Sequence, residues 1–185
     1  MPQPFFKEDN LASYLNYNLK VLKNDFIAFD VLENTEMVNV YIPFVHLNNF
    51  FFEKFGSFNY KHSSSVLVET LLKKNLNSNP LDFYVNVENG FIQITVIKQK
   101  KLIFYNAFNF KTKEDFIYYI LFTAEQLNLN PEEFKLTLMG EIEKESELFT
   151  TVYNYVRHVE FYTFKGDSFN HLTEFDHTNF ILLNQ

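Results

Sequence analysis

Residues 82–141 read DFYVNVENGFIQITVIKQKKLIFYNAFNFKTKEDFIYYILFTAEQLNLNPEEFKLTLMGE, and the periodicity within them decides the fold. Phe83, Val85 and Val87 alternate with Tyr84 and Asn86, the period-two signature of a strand with one buried face. Asn89-Gly90 follows at once, a strong turn signal because both residue types tolerate positive φ. A second run, with Phe91, Ile92, Ile94, Val96 and Ile97, is broken by Lys98-Gln99-Lys100-Lys101, which reads as a solvated hairpin tip. Residues 102–110 form a third run, rich in Phe and Tyr. The period then changes. Thr112 suits a helix N-cap, and Glu114 and Asp115 sit in the first turn, where the helix dipole favours negative charge. Phe116, Ile117, Ile120, Leu121, Ala124 and Leu127 recur at helical steps and form one apolar stripe. Asn128 to Pro131 ends the helix, and residues 134–139 are a strand with Phe134, Leu136 and Leu138 on one side. A parallel return from residues 102–110 through the helix is expected to be a right-handed crossover.

Working outward, residues 4–18 (PFFKEDNLASYLNYN) predict a helix entered through an extended segment. Residues 25–31 and 36–44 predict a hairpin about Glu33-Asn34-Thr35. Residues 45–55 (VHLNNFFFEKF) have helical spacing, with Gly56 as the natural C-cap. Residues 57–62 read as a short strand, and Ser63, Ser64 or Ser65 caps a helix whose apolar face is Val66, Leu67, Thr70 and Leu71. NLNSNP at 75–80 is the best linker and predicts a division into 1–78 and 79–185. After a charged loop at 141–147, residues 148–158 predict a helix with Leu148, Val152, Tyr155 and Val156 inward. Residues 159–164 predict a last strand, and the apolar group at 180–183 is expected to dock on the body. The order in the second half is β-β-β-α-β-α-β. Both halves run hairpin, helix, strand, helix, which points to a duplicated α/β architecture.

The 185 residues are 46% hydrophobic, enough to bury a core. The 24 Phe and 11 Tyr carry little functional weight, since Phe, Tyr, Asn, Lys and Ile together fit an AT-rich genome. A net charge of -7, with Arg157 as the sole arginine, argues against a nucleic-acid partner, because phosphate binding needs clustered positive charge. Cysteine is absent, which excludes disulfides and leaves the redox compartment open. The start lacks a basic segment followed by an apolar one, and the apolar run at 116–122 is far short of the roughly 20 residues a membrane helix needs. A soluble cytoplasmic protein without membrane insertion is expected.

The series three strands, helix, strand, helix, strand is that of the ribonuclease-H-like fold, which in tandem makes the actin-like ATPase fold. YLNYN near the start, LIFYNAFNFKTKEDFIYYILFTAEQLNLNPEE in the middle and YVRHVEF near the end resemble the Bacteroidota family DUF3822, a domain of unknown function described as actin-like in fold. The resemblance covers nearly all of the chain. Members of that family begin with a further strand hairpin and helix ahead of the segment matching Pro4-Phe5-Phe6. The resemblance therefore implies the back part of a first subdomain over 1–78 and a complete second one over 79–185. A truncated form, a misplaced start codon or a true short form would each give this.

The resemblance also locates where nucleotide chemistry would lie. Actin-like ATPases hold phosphates in backbone loops at strand hairpins, where an Asp-x-Gly carries the carboxylate and lets backbone approach phosphate. The second such loop falls at Asn86-Val87-Glu88 or, shifted, at Glu88-Asn89-Gly90. The first alignment has Asn for Asp and Glu for Gly. The second keeps a carboxylate and a glycine, but the hairpin turn already explains Gly90. The adenosine turn falls at Met139-Gly140-Glu141, with one glycine where two are usual. Asn86, Glu88, Gly90 and Gly140 are thus the cofactor-binding positions of a degenerate site, and no cofactor is expected.

Other constellations are weaker. Glu88, Asp115 and Glu141 are conceivable donors to a two-metal nuclease site, but they read more simply as a turn residue, a helix-dipole partner and a loop charge. His171, Glu174, Asp176 and His177 lack ligand spacing, so no metal is expected. His46, His62 and His158 are isolated, and helix capping accounts for Ser63-Ser64-Ser65, so no catalytic residue is assigned. The expectation is a non-catalytic actin-like module that binds a protein partner or self-associates. The alternative is an ATP-binding actin-like ATPase or a sugar-kinase-like phosphotransferase.

Overall fold

The computed structural model describes residues 1–17, 19–74, 81–163, 177–178 and 180–182, so residues 75–80, read as the linker, lie outside the described residues. The chain divides into two compact units, Met1–Glu69 and Thr70–Gln185.

The first unit holds α1 (Leu11–Leu15), β1 (Ala28–Val31), β2 (Val38–Tyr41), α2 (Val45–Phe55) and the start of α3 (Ser63–Lys74). Strands β1 and β2 pair antiparallel from Ala28↔Tyr41 to Val31↔Val38, around a turn in which Asn34 takes φ +56. The chain start runs beside β2: Val38 N donates to Met1 O at 2.8 Å and Gln3 N to Glu36 O at 2.7 Å. The helix expected over 4–18 is shorter. Two 3-10 turns, Gln3–Phe5 and Glu8–Asn10, precede α1, separated by an extended Lys7. Tyr14 holds that break open, its hydroxyl accepting from Lys7 N and donating to Phe5 O. Helix α2 ends at Gly56, where φ is +76 and the N–H donates to Phe52 O. Residues 57–62 do not form the expected strand. They alternate correctly, but a strand needs a partner edge, and Phe58 and Tyr60 stay exposed. On α3 the expected face is buried at Val66, Leu67, Thr70 and Leu71.

The second unit is built on a five-stranded sheet in the order β5-β4-β3-β6-β7. Its strands are β3 (Leu81–Glu88), β4 (Phe91–Lys98), β5 (Lys101–Asn109), β6 (Lys135–Gly140) and β7 (His158–Phe161). The first three form the predicted antiparallel meander. Helix α4 (Lys113–Gln126) then carries the chain back so that β6 pairs parallel with β3, and α5 (Glu147–Tyr155) leads to β7, parallel to β6. Thr112 caps α4 as the sequence indicated. Asp115 N donates to Thr112 Oγ1 at 3.1 Å and Thr112 N to Asp115 Oδ2 at 3.1 Å, a reciprocal capping box. Those backbone donors, Lys111 N first, hold the Asp115 carboxyl below its usual range.

One sheet face carries the core. Phe83, Val85, Ile92, Ile94, Leu136 and Leu138 pack with Phe116, Ile117 and Ile120 of α4 and Val152 of α5. Phe83 stacks on Phe134 at 4.9 Å and Phe108 on Tyr119 at 4.5 Å. Tyr155, expected inward, is 56% exposed. The helix ends there, and Val156 turns extended to take the inward place. Phe180 is buried, edge-on to Tyr162. The opposite face is polar yet largely buried at Asp82, Asn86, Gln93, Thr95 and Thr137. Among the described residues no helix is long and apolar enough to cross a membrane.

Both hairpin turns fall where the sequence places them, at Asn89-Gly90 and within Lys98–Lys101, and they differ in backbone. Of Asn89-Gly90 only Gly90 takes positive φ, at +83, whereas at the second turn both Gln99 (φ +50) and Lys100 (φ +66) do. The left-handed region costs an L-residue about 1–2 kcal/mol, more than glycine loses in chain entropy. Lys100→Gly is therefore expected to stabilise the protein by roughly 0.5–1 kcal/mol in denaturant unfolding. An unchanged or lowered midpoint would contradict the turn geometry.

Candidate functional site

The positions singled out in the sequence gather where β3 and β6 run out side by side. Asn86 lies opposite Met139 and Val87 opposite Gly140. The strands close without slack. Gly140 takes φ +87, and a Cβ there would collide with the Val87 carbonyl oxygen and come within 2.8 Å of Asn86 Oδ1. The next residue continues the ladder, Glu141 N donating to Val87 O at 2.7 Å. Gly140 N donates to His177 O at 2.7 Å, and His177 Nε2 donates back to Ile142 O at 2.7 Å. The His177 ring also lies 4.6 Å from that of Phe161. Both N–H groups of the Gly140-Glu141 turn are thus engaged within the protein.

Asn86 and Glu88 project from the same face of β3, two residues apart. Asn86 is 3% exposed, and its amide Nδ2 donates to Glu88 Oε1 at 3.1 Å and to Gln93 Oε1 at 2.9 Å. Gln93 Nε2 then donates to the Tyr105 hydroxyl at 3.0 Å. The result is a polar relay across β3, β4 and β5. Burial raises the Glu88 carboxyl above its usual range, and the Glu141 carboxylate adds to the rise against the Asn86 hydrogen bond. Gly90 is different in kind: its turn is open, and a Cβ added there would meet nothing within 4 Å.

Of the conceivable metal donors, Glu88 and Glu141 are close enough to repel, while Asp115 closes the α4 capping box. Among the described residues no group of three or more His, Asp or Glu is placed to hold a metal. His171, Glu174 and Asp176 lie outside the described residues. His46 and His158 are exposed.

The first unit contains a polar cluster with no local signature in the sequence. Buried Asp30 accepts from the Tyr41 hydroxyl at 3.0 Å, His62 N at 2.8 Å and Ser65 Oγ at 2.5 Å. His62 Nδ1 lies 2.7 Å from Ser64 Oγ and accepts from Ser64 N at 3.1 Å. Burial lowers the His62 pKa and, with the Asp30 charge next, raises that of Tyr41. The carboxylate meets the His62 backbone rather than its ring, so this is not the carboxylate–imidazole–hydroxyl relay of a hydrolase. Its contacts join the start of α3 to β1 and β2. Only the spacing of Asp30, His62 and Ser64-Ser65 could have hinted at it, and that spacing spans two turns and a helix.

On the polar face of the second unit, Lys74, Tyr84, Lys135, Thr137, Glu160 and Tyr162 line an open depression of about 360 Å³. Its charges are engaged internally: Lys135 pairs with Glu160 at 2.6 Å, and Lys74 Nζ donates to the Tyr162 hydroxyl at 2.5 Å. Burial pushes that hydroxyl up to about 12.

The strand ends lead to two expected outcomes. Gly140→Ala should cost at least about 3 kcal/mol, from the collision and the positive φ together, while Gly90→Ala should cost only about 1–2 kcal/mol from φ. Equal losses in denaturant unfolding would contradict the close approach at Val87. The second outcome concerns Glu88. Its folded-state pKa is raised, so its ionised form opposes folding above that pKa, and the penalty is relieved as pH falls through it. Glu88→Gln, which can still accept from Asn86, should raise the melting temperature at pH 7 and shrink the gain that wild type shows on mild acidification. A lower melting temperature at pH 7 would contradict the burial of this charge.

Comparison with known proteins agrees with the strand order. No curated protein matches the chain significantly. A crystal structure from Bacteroides thetaiotaomicron, described as a protein with actin-like ATPase fold and unknown function, is similar with a TM-score of 0.78 and 22% identity. The match covers 88% of this chain and 63% of that one, so this chain spans less than two thirds of its structural relative. At this identity the likeness shows an actin-like ATPase fold and nothing of activity. A foamy viral protease-reverse transcriptase in complex with double-stranded DNA matches with a TM-score of only 0.32, at 13% identity over 87% of this chain and 31% of that one, too remote to carry an argument. The family model of DUF3822, a protein family of unknown function, matches residues 1–159, and the chain belongs to that family.

Proposed function

We propose that this chain is a non-catalytic, actin-like module for protein binding or assembly, whose nucleotide positions are given over to internal contacts. The observation that carries the reading is the Gly140-Glu141 turn. Its two N–H groups donate to His177 O and Val87 O, and Gly140 is pressed against β3 rather than facing open space. An adenosine turn packs on the ligand through small, open backbone, and here both N–H groups are taken up within the protein. The phosphate side is unfavourable as well. Asn86, in the place of the usual carboxylate, is tied to Glu88 and Gln93. Glu88 and Glu141 set negative charge where a phosphate would sit. A like-charge contact at partial burial costs on the order of a few kcal/mol, or several hundredfold in affinity. A cytoplasmic place for the protein is part of this proposal.

One observation favours a second reading, an ATP-binding ATPase or sugar-kinase-like phosphotransferase. The Asn89-Gly90 turn is open, and Gly90 has the positive φ that phosphate loops use. The relative's description names an ATPase fold, which is a statement about that protein's architecture. Calorimetry with Mg-ATP separates the two readings. The assembly reading expects no saturable heat up to about 1 mM nucleotide. Micromolar binding that is lost in Gly90→Ala would overturn it and establish the nucleotide site.

A further inference from the structure

We infer that α2 is the contact surface of a symmetric dimer, with a second copy of this chain as its occupant. The inference rests on the assembly reading above and deepens it by naming the partner. Helix α2 buries none of its residues. Phe50, Phe51, Phe52 and Phe55 are 44–75% exposed, and Phe58 and Tyr60 just beyond the helix are 37% and 40% exposed. Five of these rings form one continuous surface, with Phe52 exposed beside it: Phe51 touches Phe50, Phe55 and Phe58, and Phe58 touches Tyr60, all at centroid distances of 5.6–6.2 Å. A Phe or Tyr side chain presents roughly 150–250 Å², so these six rings leave about 600 Å² of aromatic surface in water. That is at the upper limit for the largest apolar patch of an ordinary monomer. It also matches the apolar centre of an interface burying about 800 Å² per partner.

The choice of occupant follows from charge and shape. The charges on α2 are Glu53 and Lys54, which cancel, whereas the whole chain carries -7. A partner recognised by charge would require an acidic or basic rim on this surface. An uncharged apolar patch is complementary to itself, which is what a two-fold interface demands. The helix itself needs the cover: eleven residues are too few to be stable in water without packing, and α2 has no buried side chain of its own. Two antiparallel copies overlap along a helix about 16 Å long and place ring against ring.

Sedimentation velocity on the full chain at about 1 to 100 μM tests the inference. The expected result is a reversible shift from the 22.1 kDa monomer to twice that mass as concentration rises. Phe51→Glu combined with Phe55→Glu should weaken self-association at least a hundredfold while a cooperative thermal transition persists at a lower temperature, because neither side chain is buried but the cover over α2 is lost. A second readout stays informative if that variant misfolds. The chain has no cysteine, so a lone Phe51→Cys, near the helix midpoint where a two-fold antiparallel pair brings like residues together, should give a disulfide-linked dimer on mild oxidation, and Lys20→Cys should not. A monomer at every concentration would overturn the inference. So would a dimer indifferent to the double substitution, cross-linking no faster at Cys-substituted Phe51 than at the control, or a monomer that instead co-sediments with phosphatidylcholine–phosphatidylglycerol vesicles. These outcomes are separable from the nucleotide test: micromolar Mg-ATP binding overturns the degenerate nucleotide site of the proposed function, while a monomer overturns the dimer alone.

Discussion

Parallel pairing of β6 against β3 runs from Phe83↔Leu136 to Val87↔Gly140, and its last step leaves no room for a Cβ. The rest of the second unit depends on that pairing. It is the long-range ladder that closes the sheet after α4, and it places Leu136 and Leu138 beside Phe83 and Val85 under the helices. Parallel ladders reward the chain only after a long excursion has been ordered, so the local elements must be firm beforehand. The β3–β4–β5 meander and the α4 capping box supply that firmness. β7 then adds to β6 and leaves short or charged edges, four residues at β7 and the lysine-flanked tip beside β5.

The same pairing decides what the strand ends can do chemically. In an open α/β sheet ligands gather beyond the carboxyl ends of parallel strands, because backbone donors there have no ladder partner. Here the donors do have partners. Glu141 extends the ladder to Val87, Gly140 is met by His177, and Asn86 is drawn sideways into a relay with Glu88 and Gln93. The architecture is that of the actin-like ATPases, and the groups at its usual ligand position are satisfied from within. The fold by itself assigns no chemistry to this chain.

Much of the fold was legible because the local signals agree with the global one. Period two over residues 83–110, the switch to helical period at Thr112 and the return to strand at residue 134 each have one dominant physical cause, and the structure follows all three. The misreadings share a cause as well: a pattern needs a partner. Residues 57–62 alternate but find no edge to pair with. Tyr155 has helical spacing but falls on the final turn. Asn89-Gly90 and Gln99-Lys100 both turn where the sequence places them, and only the backbone differs, with φ positive at both Gln99 and Lys100. The strand-end positions could be placed from the sequence because they sit at the turn and at the end of a strand. What could not be read was the state of their hydrogen bonds. His177 lies far along the chain from Gly140, and Asp30 is 32 residues before His62. Such pairings depend on the assembled backbone and leave no periodic trace.

Closure of the Gly140-Glu141 backbone from within is the property on which the nucleotide question turns, and amide hydrogen exchange measures it directly. The predicted result is that the Gly140 and Glu141 amides are protected to the same degree as the Val85 and Leu138 amides of the sheet interior, and that Mg-ATP leaves their protection unchanged. Rapid exchange at these two amides in the free protein, slowed by Mg-ATP, would contradict it.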